Sequence, residues 1–373
     1  MNPRVSVLIP TYNRAYYLAE CLDSLLGQTL TPFQLIVVND GSTDHTLETL
    51  KPYLGKIEYL ETPQGGKSVS INQGLRSVRG DYVWIFDDDD VALPDALERF
   101  TEPLEKDPAY GFSYSTYYFT GTKPGSHRIG RIQFEEKKPD LEKRGFLIPL
   151  LEANILGGAA LFARTSTYRA VGEFDPALVR SQDYDVAIRI ARRFKGVRVA
   201  GGATFHYRQH SGIRGSVRDR FKARLRKKKW WEYDQLIFRR LYEELALNDY
   251  LPPDVALEGH HREALLQRLA IAAGKLMLPE SLKDLEALER LGDDRPLSDR
   301  EQFILQRLAV CPFYRVGSLL DKPAFAKRFR EPSANTPVLA LLHRQIRRSL
   351  AASLFENSGM QQRLATFKRL LFF

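Results

Sequence analysis

The rhythm of the first hundred residues constrains this chain most, because short β-branched runs there alternate with stretches of helical periodicity. Val5-Ser6-Val7-Leu8-Ile9 has the composition of a buried strand, and Leu18, Cys21, Leu22 and Leu25 then fall at i, i+3, i+4 and i+7 on one helix face. Leu35-Ile36-Val37-Val38 repeats the strand pattern. Asn39-Asp40-Gly41-Ser42-Thr43-Asp44 supplies turn and capping chemistry before a helix over Thr46–Leu54. Ile57–Leu60, a helix near Ser68–Val78 and Tyr82-Val83-Trp84-Ile85-Phe86 continue the series. Such alternation predicts a mostly parallel sheet with right-handed crossovers, whose ligands bind beyond the carboxyl ends of the strands.

Beyond Pro94 the rhythm loosens. Gly111–Thr120 reads as a strand, Gly121–Lys143 as a long polar loop, and Leu156–Phe162 as a buried, close-packed segment. After about residue 214 the strand signals give way to Leu-, Arg-, Lys- and Glu-rich helical stretches, broken near Pro252-Pro253, Pro279, Pro296, Pro312 and Pro332. At 373 residues, with domains usually about 100–200 long, the expectation is two domains, 1–213 and 214–373. Charge follows the same division: residues 1–213 hold 25 Lys and Arg against 26 Asp and Glu, whereas 214–373 hold 30 against 20. All of the net +9 therefore resides in the second part, which suits an acidic partner such as a membrane surface or nucleic acid. The only cysteines, Cys21 and Cys311, have no Cys or His at metal spacing, so neither a disulfide framework nor a zinc site is expected. No stretch reaches the roughly 18 apolar residues of a membrane span, and a cytoplasmic protein is expected.

The strongest local signal is Asp87-Asp88-Asp89-Asp90, directly after the fourth apolar run. Adjacent carboxylates repel, and a cation relieves that repulsion. Hard oxygen donors suit Mg²⁺ or Mn²⁺, which one or two carboxylates plus substrate phosphates commonly hold. A solvated acidic turn is the plainer alternative.

These segments, taken in order, resemble glycosyltransferase family 2 over about residues 4–213. The resemblance rests on Val5–Ile9 with Pro10-Thr11-Tyr12-Asn13-Arg14, Val37-Val38-Asn39-Asp40-Gly41-Ser42-Thr43-Asp44, Gly66, Asn72-Gln73-Gly74 and Phe86–Asp90 with Pro94. It continues through Gly172-Glu173-Phe174-Asp175, Gln182-Asp183-Tyr184-Asp185 and Tyr207-Arg208-Gln209-His210. It implies an α/β fold of the GT-A type, a Rossmann-like, mostly parallel sheet, with an α-helical C-terminal extension. It also implies an inverting, metal-dependent transfer from a nucleotide-diphosphate sugar, expected to be a UDP-sugar, to a saccharide or lipid-linked saccharide of the cell envelope. By the same resemblance Pro10, Thr11, Tyr12, Arg14, Asp40, Lys67, Asp87 and Asp88 surround the donor, with Asp40 at the base and Asp87 near the ribose. Asp89 and His210 then belong to the Mn²⁺ or Mg²⁺ ion, and Asp183 is the general base that takes the acceptor proton.

The residues leave other readings open. Asp40 could cap a helix, and Asp183 and Asp185 could simply face the N-terminus of a helix over Val186–Arg193. Arg208 could pair with phosphate or be a surface cation. The chain departs from the family at Gln182, where an acid is usual, and at Ile71, where an arginine is frequent. A sugar nucleotidylyltransferase is disfavoured because Thr11-Tyr12-Asn13-Arg14 is not a Gly-rich triphosphate loop. A nucleic-acid-binding role for the basic run Arg218 to Lys229 beside Trp230-Trp231 would leave the aspartates unexplained, so no nucleic acid is expected. At the C-terminus, Val338, Leu342, Ile346, Leu350 and Leu354, then Leu364, Phe367 and Leu371, form apolar stripes with arginines and lysines alongside. They predict either interfacial helices at the inner face of the plasma membrane or internal packing.

Overall fold

The computed structural model describes residues 3–31, 33–138, 141, 145–210, 226–310, 321–330 and 337–355. It divides into two compact units, one of residues 1–150 and 154–226, the other of 151–153 and 227–373.

The first unit is built on one nine-stranded sheet. Strands β1 (Val5–Thr11), β2 (Gln34–Asn39), β3 (Glu58–Glu61) and β4 (Tyr82–Ile85) are the four apolar runs seen in the sequence. They pair in parallel in the order β3-β2-β1-β4. Helices α1 (Ala15–Leu26), α2 (Thr46–Leu50) and α3 (Lys67–Arg76) make the crossovers. α2 stops earlier than periodicity suggests: Pro52 has no N–H to donate, and residues Lys51–Tyr53 tighten into a 3-10 turn. A short β5 (Val91–Ala92) and α4 (Ala96–Lys106) follow the aspartate run.

The other strands extend the sheet beyond β4. They are β6 (Tyr110–Thr122), β7 (Ile129–Glu135), β8 (Leu161–Arg164) and β9 (Lys195–Arg208), in the order β4-β8-β6-β9-β5 with β7 on β6. β6 and β9 are parallel, whereas β8, β5 and β7 enter antiparallel. The polar stretch Gly121–Lys143 is thus not one long loop. Its first half is a hairpin, because β7 pairs with β6 alone and is largely exposed, so it needs no apolar alternation. Helices α5 (Leu147–Glu152), α6 (Thr165–Val171) and α7 (Gln182–Ala191) complete the first half of the chain. Trp84, Phe86, Phe100 and Phe162 stack in the core, with Trp84 and Phe86 ring centroids 4.5 Å apart. The indole N–H of Trp84 donates to the Ala159 carbonyl at 2.7 Å.

In the second unit the described residues from 226 onward form helices: α8 (Arg226–Glu244), α9 (His261–Gly274), α10 (Leu278–Leu291), α11 (Asp299–Val310), α12 (Pro323–Arg330) and α13 (Pro337–Phe355). Pro279, Pro323 and Pro337 start helices, where a missing N–H costs nothing. The stripe Val338, Leu342, Ile346 and Leu350 packs with Leu269, Leu285, Leu288, Leu305 and Phe325 into one core. The membrane-facing expectation is corrected for these four residues, since each is at most 1% exposed. Leu354's side chain, Leu364, Phe367, Leu371, Cys311 and most of the basic run before Trp230 lie outside the described residues. Among the described residues no helix is long and apolar enough to cross a membrane.

Candidate functional site

The carboxyl ends of β1, β2 and β4 meet at one edge of the parallel half, and the motif residues gather there. At the end of β1, Pro10 and Thr11 are buried, and the Asp40 N–H bonds the Thr11 carbonyl at 2.9 Å. Asn13, in the left-handed region at φ 53°, ties the β1 loop to the β2 loop. Its side-chain oxygen accepts from the Thr43 N–H at 2.8 Å, and its own N–H donates to Ser42 Oγ at 3.0 Å. Tyr12 and Arg14 flank it, half-buried.

Asp40 does not cap α2, whose N-cap position is His45. Instead its two oxygens accept from the Gly65 and Gly66 N–H groups at 2.8 and 2.9 Å, holding the turn that leads into α3. Oδ1 also accepts from the Thr62 hydroxyl at 3.3 Å, so the capacity for a further donor lies on Oδ2. The next residue, Lys67, reaches across and ion-pairs with Asp87. Burial alone would lower the Lys67 ammonium, but Asp87 and Asp183 outweigh it and hold it above its usual value.

The aspartate run alternates in environment. Asp88 is 8% exposed and lies 3.7 Å from the Arg14 guanidinium. Burial, against the pull of Arg14, pushes its carboxyl up to about 7. Asp89 Oδ2 sits 2.9 Å from His210 Nε2, and the His210 ring packs on Tyr17 with centroids 4.9 Å apart. Asp90 is 1% exposed, and burial together with Asp89 and Asp87 raises its carboxyl well above the carboxylate range.

Arg208 organises this run from behind, neither as a surface cation nor as a phosphate ligand. Its side chain is fully buried. The backbone N–H donates to Asp90 Oδ1 at 2.9 Å, Nε to the Asp89 carbonyl at 2.5 Å, and Nη2 to Glu20 Oε2 at 2.8 Å. Nη1 donates to the His127 carbonyl in the β6–β7 turn. Glu20 also accepts from the Ile129 N–H at 3.1 Å, so the hairpin is fastened to α1 and β9 together.

On the far side of Asp87 comes Asp183, in the first turn of α7, which begins at Gln182 and not at Val186. Gly158 stands between the two acids. Its N–H donates to Asp183 Oδ2 at 2.9 Å, and a Cβ placed on it would lie 3.1 Å from Asp87 Oδ2. With φ at 52° and a carboxylate on that side, the position favours glycine. Sequence reading passes over Gly158, Asn13 and Glu20, which act through contacts 25 or more residues away.

Asp87, Asp89 and Asp90 each present an oxygen, all within 4.8 Å of one another. Asp90 Oδ2 is buried without a hydrogen-bond partner among the described residues. Clustered hard oxygens with an orphaned carboxylate atom and an adjacent imidazole fit a divalent cation such as Mg²⁺ or Mn²⁺.

Comparison with known proteins accords with this geometry. The family model described as Glycosyl transferase family 2 matches residues 6–169. An uncharacterized glycosyltransferase of Rickettsia prowazekii (strain Madrid E) is 32% identical over 192 residues, covering 51% of this chain and 59% of that protein. A chondroitin synthase of Pasteurella multocida (strain Pm70) is 36% identical over 117 residues, covering 31% of this chain and 12% of that one. The chain thus corresponds to only part of the length of these relatives. Among solved structures, S. aureus TarS 1-349 in complex with UDP-GlcNAc superposes with a TM-score of 0.51 at 19% identity, covering 82% of this chain and 86% of that one.

Proposed function

Residues 6–169 are a glycosyltransferase family 2 domain on a GT-A fold, and from that premise we propose that the chain moves a sugar from a nucleotide-diphosphate donor to an acceptor hydroxyl with inversion. The observation that carries the reading is Gly158, flanked by Asp183 on one side and by Asp87 of the oxygen cluster on the other.

Asp40 and the ends of β1 and β2 bind the base, and Thr11, Tyr12, Arg14 and Asp88 line the nucleoside. Asp87 with Lys67 faces the ribose and diphosphate. Asp89, supported by His210, would be the principal holder of Mn²⁺ or Mg²⁺, which would supply charge stabilisation of the nucleoside diphosphate leaving group. Asp183, oriented by the Gly158 N–H, takes the proton as the acceptor oxygen attacks the anomeric carbon. One base and one displacement invert that centre. A UDP-sugar suits Asp40 through the pyrimidine imide N–H. The likeness to a chondroitin synthase favours a polysaccharide or lipid-linked saccharide acceptor in the cell envelope, reached from the cytoplasmic side.

A panel of UDP- and GDP-sugars with Mn²⁺, read by nucleotide release and by the product anomer in NMR, tests this. Asp183→Asn should lower turnover by about 10²–10⁴-fold with donor affinity little changed. Full turnover by that variant, full turnover in EDTA, or a retained anomer would overturn the reading.

A further inference from the structure

Beside the segment that carries Gly158 lies a buried cation that the proposed reaction does not use. The Lys138 side chain is 1% exposed. Lysine is seldom buried unless paired, and its ammonium brings three donors that must be satisfied. One goes to Glu136 Oε2 at 2.6 Å and another to the Ile155 carbonyl. The ammonium also lies 5.7 Å from the centre of the Tyr117 ring. Burial lowers the Lys138 ammonium and raises the Glu136 carboxyl. A buried pair of this kind contributes little net stability compared with apolar residues of similar volume. What it does provide is a fixed direction for the third partner, the Ile155 carbonyl.

Ile155 opens a strap that runs to Ala160. Lys138 holds its first carbonyl, and the Trp84 indole holds the Ala159 carbonyl at 2.7 Å from within the aromatic core. Between these anchors, a Cβ on Gly157 would stand 3.8 Å from the Tyr117 hydroxyl, and Gly158 gives its N–H to Asp183. We propose that Lys138 is a positioning residue: by gripping the Ile155 carbonyl it sets the strap whose Gly158 amide orients Asp183. The inference rests on Asp183 acting as the base.

The test compares Lys138→Met, Lys138→Arg and Asp183→Asn in the full chain, with turnover of the UDP-sugar that the panel identifies and amide hydrogen exchange across 155–160. Misplacing a reacting group by about 1 Å can cost up to about a hundredfold. Lys138→Met should therefore lower kcat by about tenfold or more, leave the donor KM within about twofold, and speed exchange in the strap. Lys138→Arg, which can reach both acceptors, should restore both readouts. If Lys138→Met does not fold, Glu136→Gln, which removes the counter-charge but keeps an acceptor, should show the same losses. An inactive Asp183→Asn alongside a Lys138→Met with wild-type kcat and exchange overturns this inference alone. An Asp183→Asn that turns over like wild type overturns the base reading beneath it.

Discussion

At the scale of single residues, the question is how four consecutive aspartates are kept together. Asp87 has Lys67, Asp88 has Arg14, Asp89 has the His210 ring, and Asp90 accepts from the backbone N–H of the buried Arg208. The aspartates are legible in the sequence, being contiguous and placed after a strand. Their partners are not, since they come from three different segments of the chain. Arg208 in particular sits in a motif that reads equally well as a phosphate ligand. Removing a partner from a buried charge cluster costs about 3–5 kcal/mol, because the remaining charges stay buried without compensation. Arg208→Met should lose about that much stability by denaturant titration in EDTA, and Mn²⁺ at a hundredfold its Kd should return about 2.7 kcal/mol by binding only the native state. An unchanged midpoint in EDTA would show that Glu20 and the Asp89 carbonyl do not depend on the Arg208 side chain.

At the scale of elements, the four N-terminal strands and three crossover helices follow from periodicity to within a few residues, most plainly where β1, β2, β4 and α1 bury continuous apolar runs or a stripe. Close packing between them depends on small residues whose role only the contacts reveal. Gly74 in α3 is one: a Cβ there would lie 2.2 Å from Leu8 Cδ1 and 3.0 Å from Val38 Cγ2. The Gly74→Ala variant should be destabilised by about 1–3 kcal/mol in chemical denaturation, the usual cost of overpacking. A neutral effect would mean that α3 can lift from β1 and β2 freely. The β6–β7 hairpin shows the opposite limit, where exposed Ile132 and Phe134 sit among polar neighbours on a strand paired along one side. Its period-2 alternation, Arg131-Ile132-Gln133-Phe134-Glu135, spans too few residues to stand out from the polar stretch around it.

At the scale of the whole molecule, the charge division and the loss of strand signals suggest a change of architecture near residue 214, and the two compact units divide at 226/227. The use made of α13 is a different matter. An apolar stripe flanked by arginines is the same pattern whether it meets lipid or protein, and here Val338, Leu342, Ile346 and Leu350 meet the helical core. A chain ending at about residue 336 should therefore lose the cooperative thermal unfolding of the helical unit and become sensitive to limited proteolysis across α9 to α11. Retention of a sharp transition by circular dichroism would free the stripe for another surface.

The sequence by itself determined what is local and periodic: the parallel α/β half, the aspartate run at the end of β4, and the helical character of the second unit. Hydrophobic period and short motifs are properties of neighbouring residues, and they survive without any contact being known. The tertiary structure decided what depends on residues far apart: that Gly158 stands between Asp87 and Asp183, that Arg208 is a buried clamp, that Lys138 grips Ile155, and that the α13 stripe faces inward. A charge or an apolar face carries no mark of its partner until folding has brought the two together.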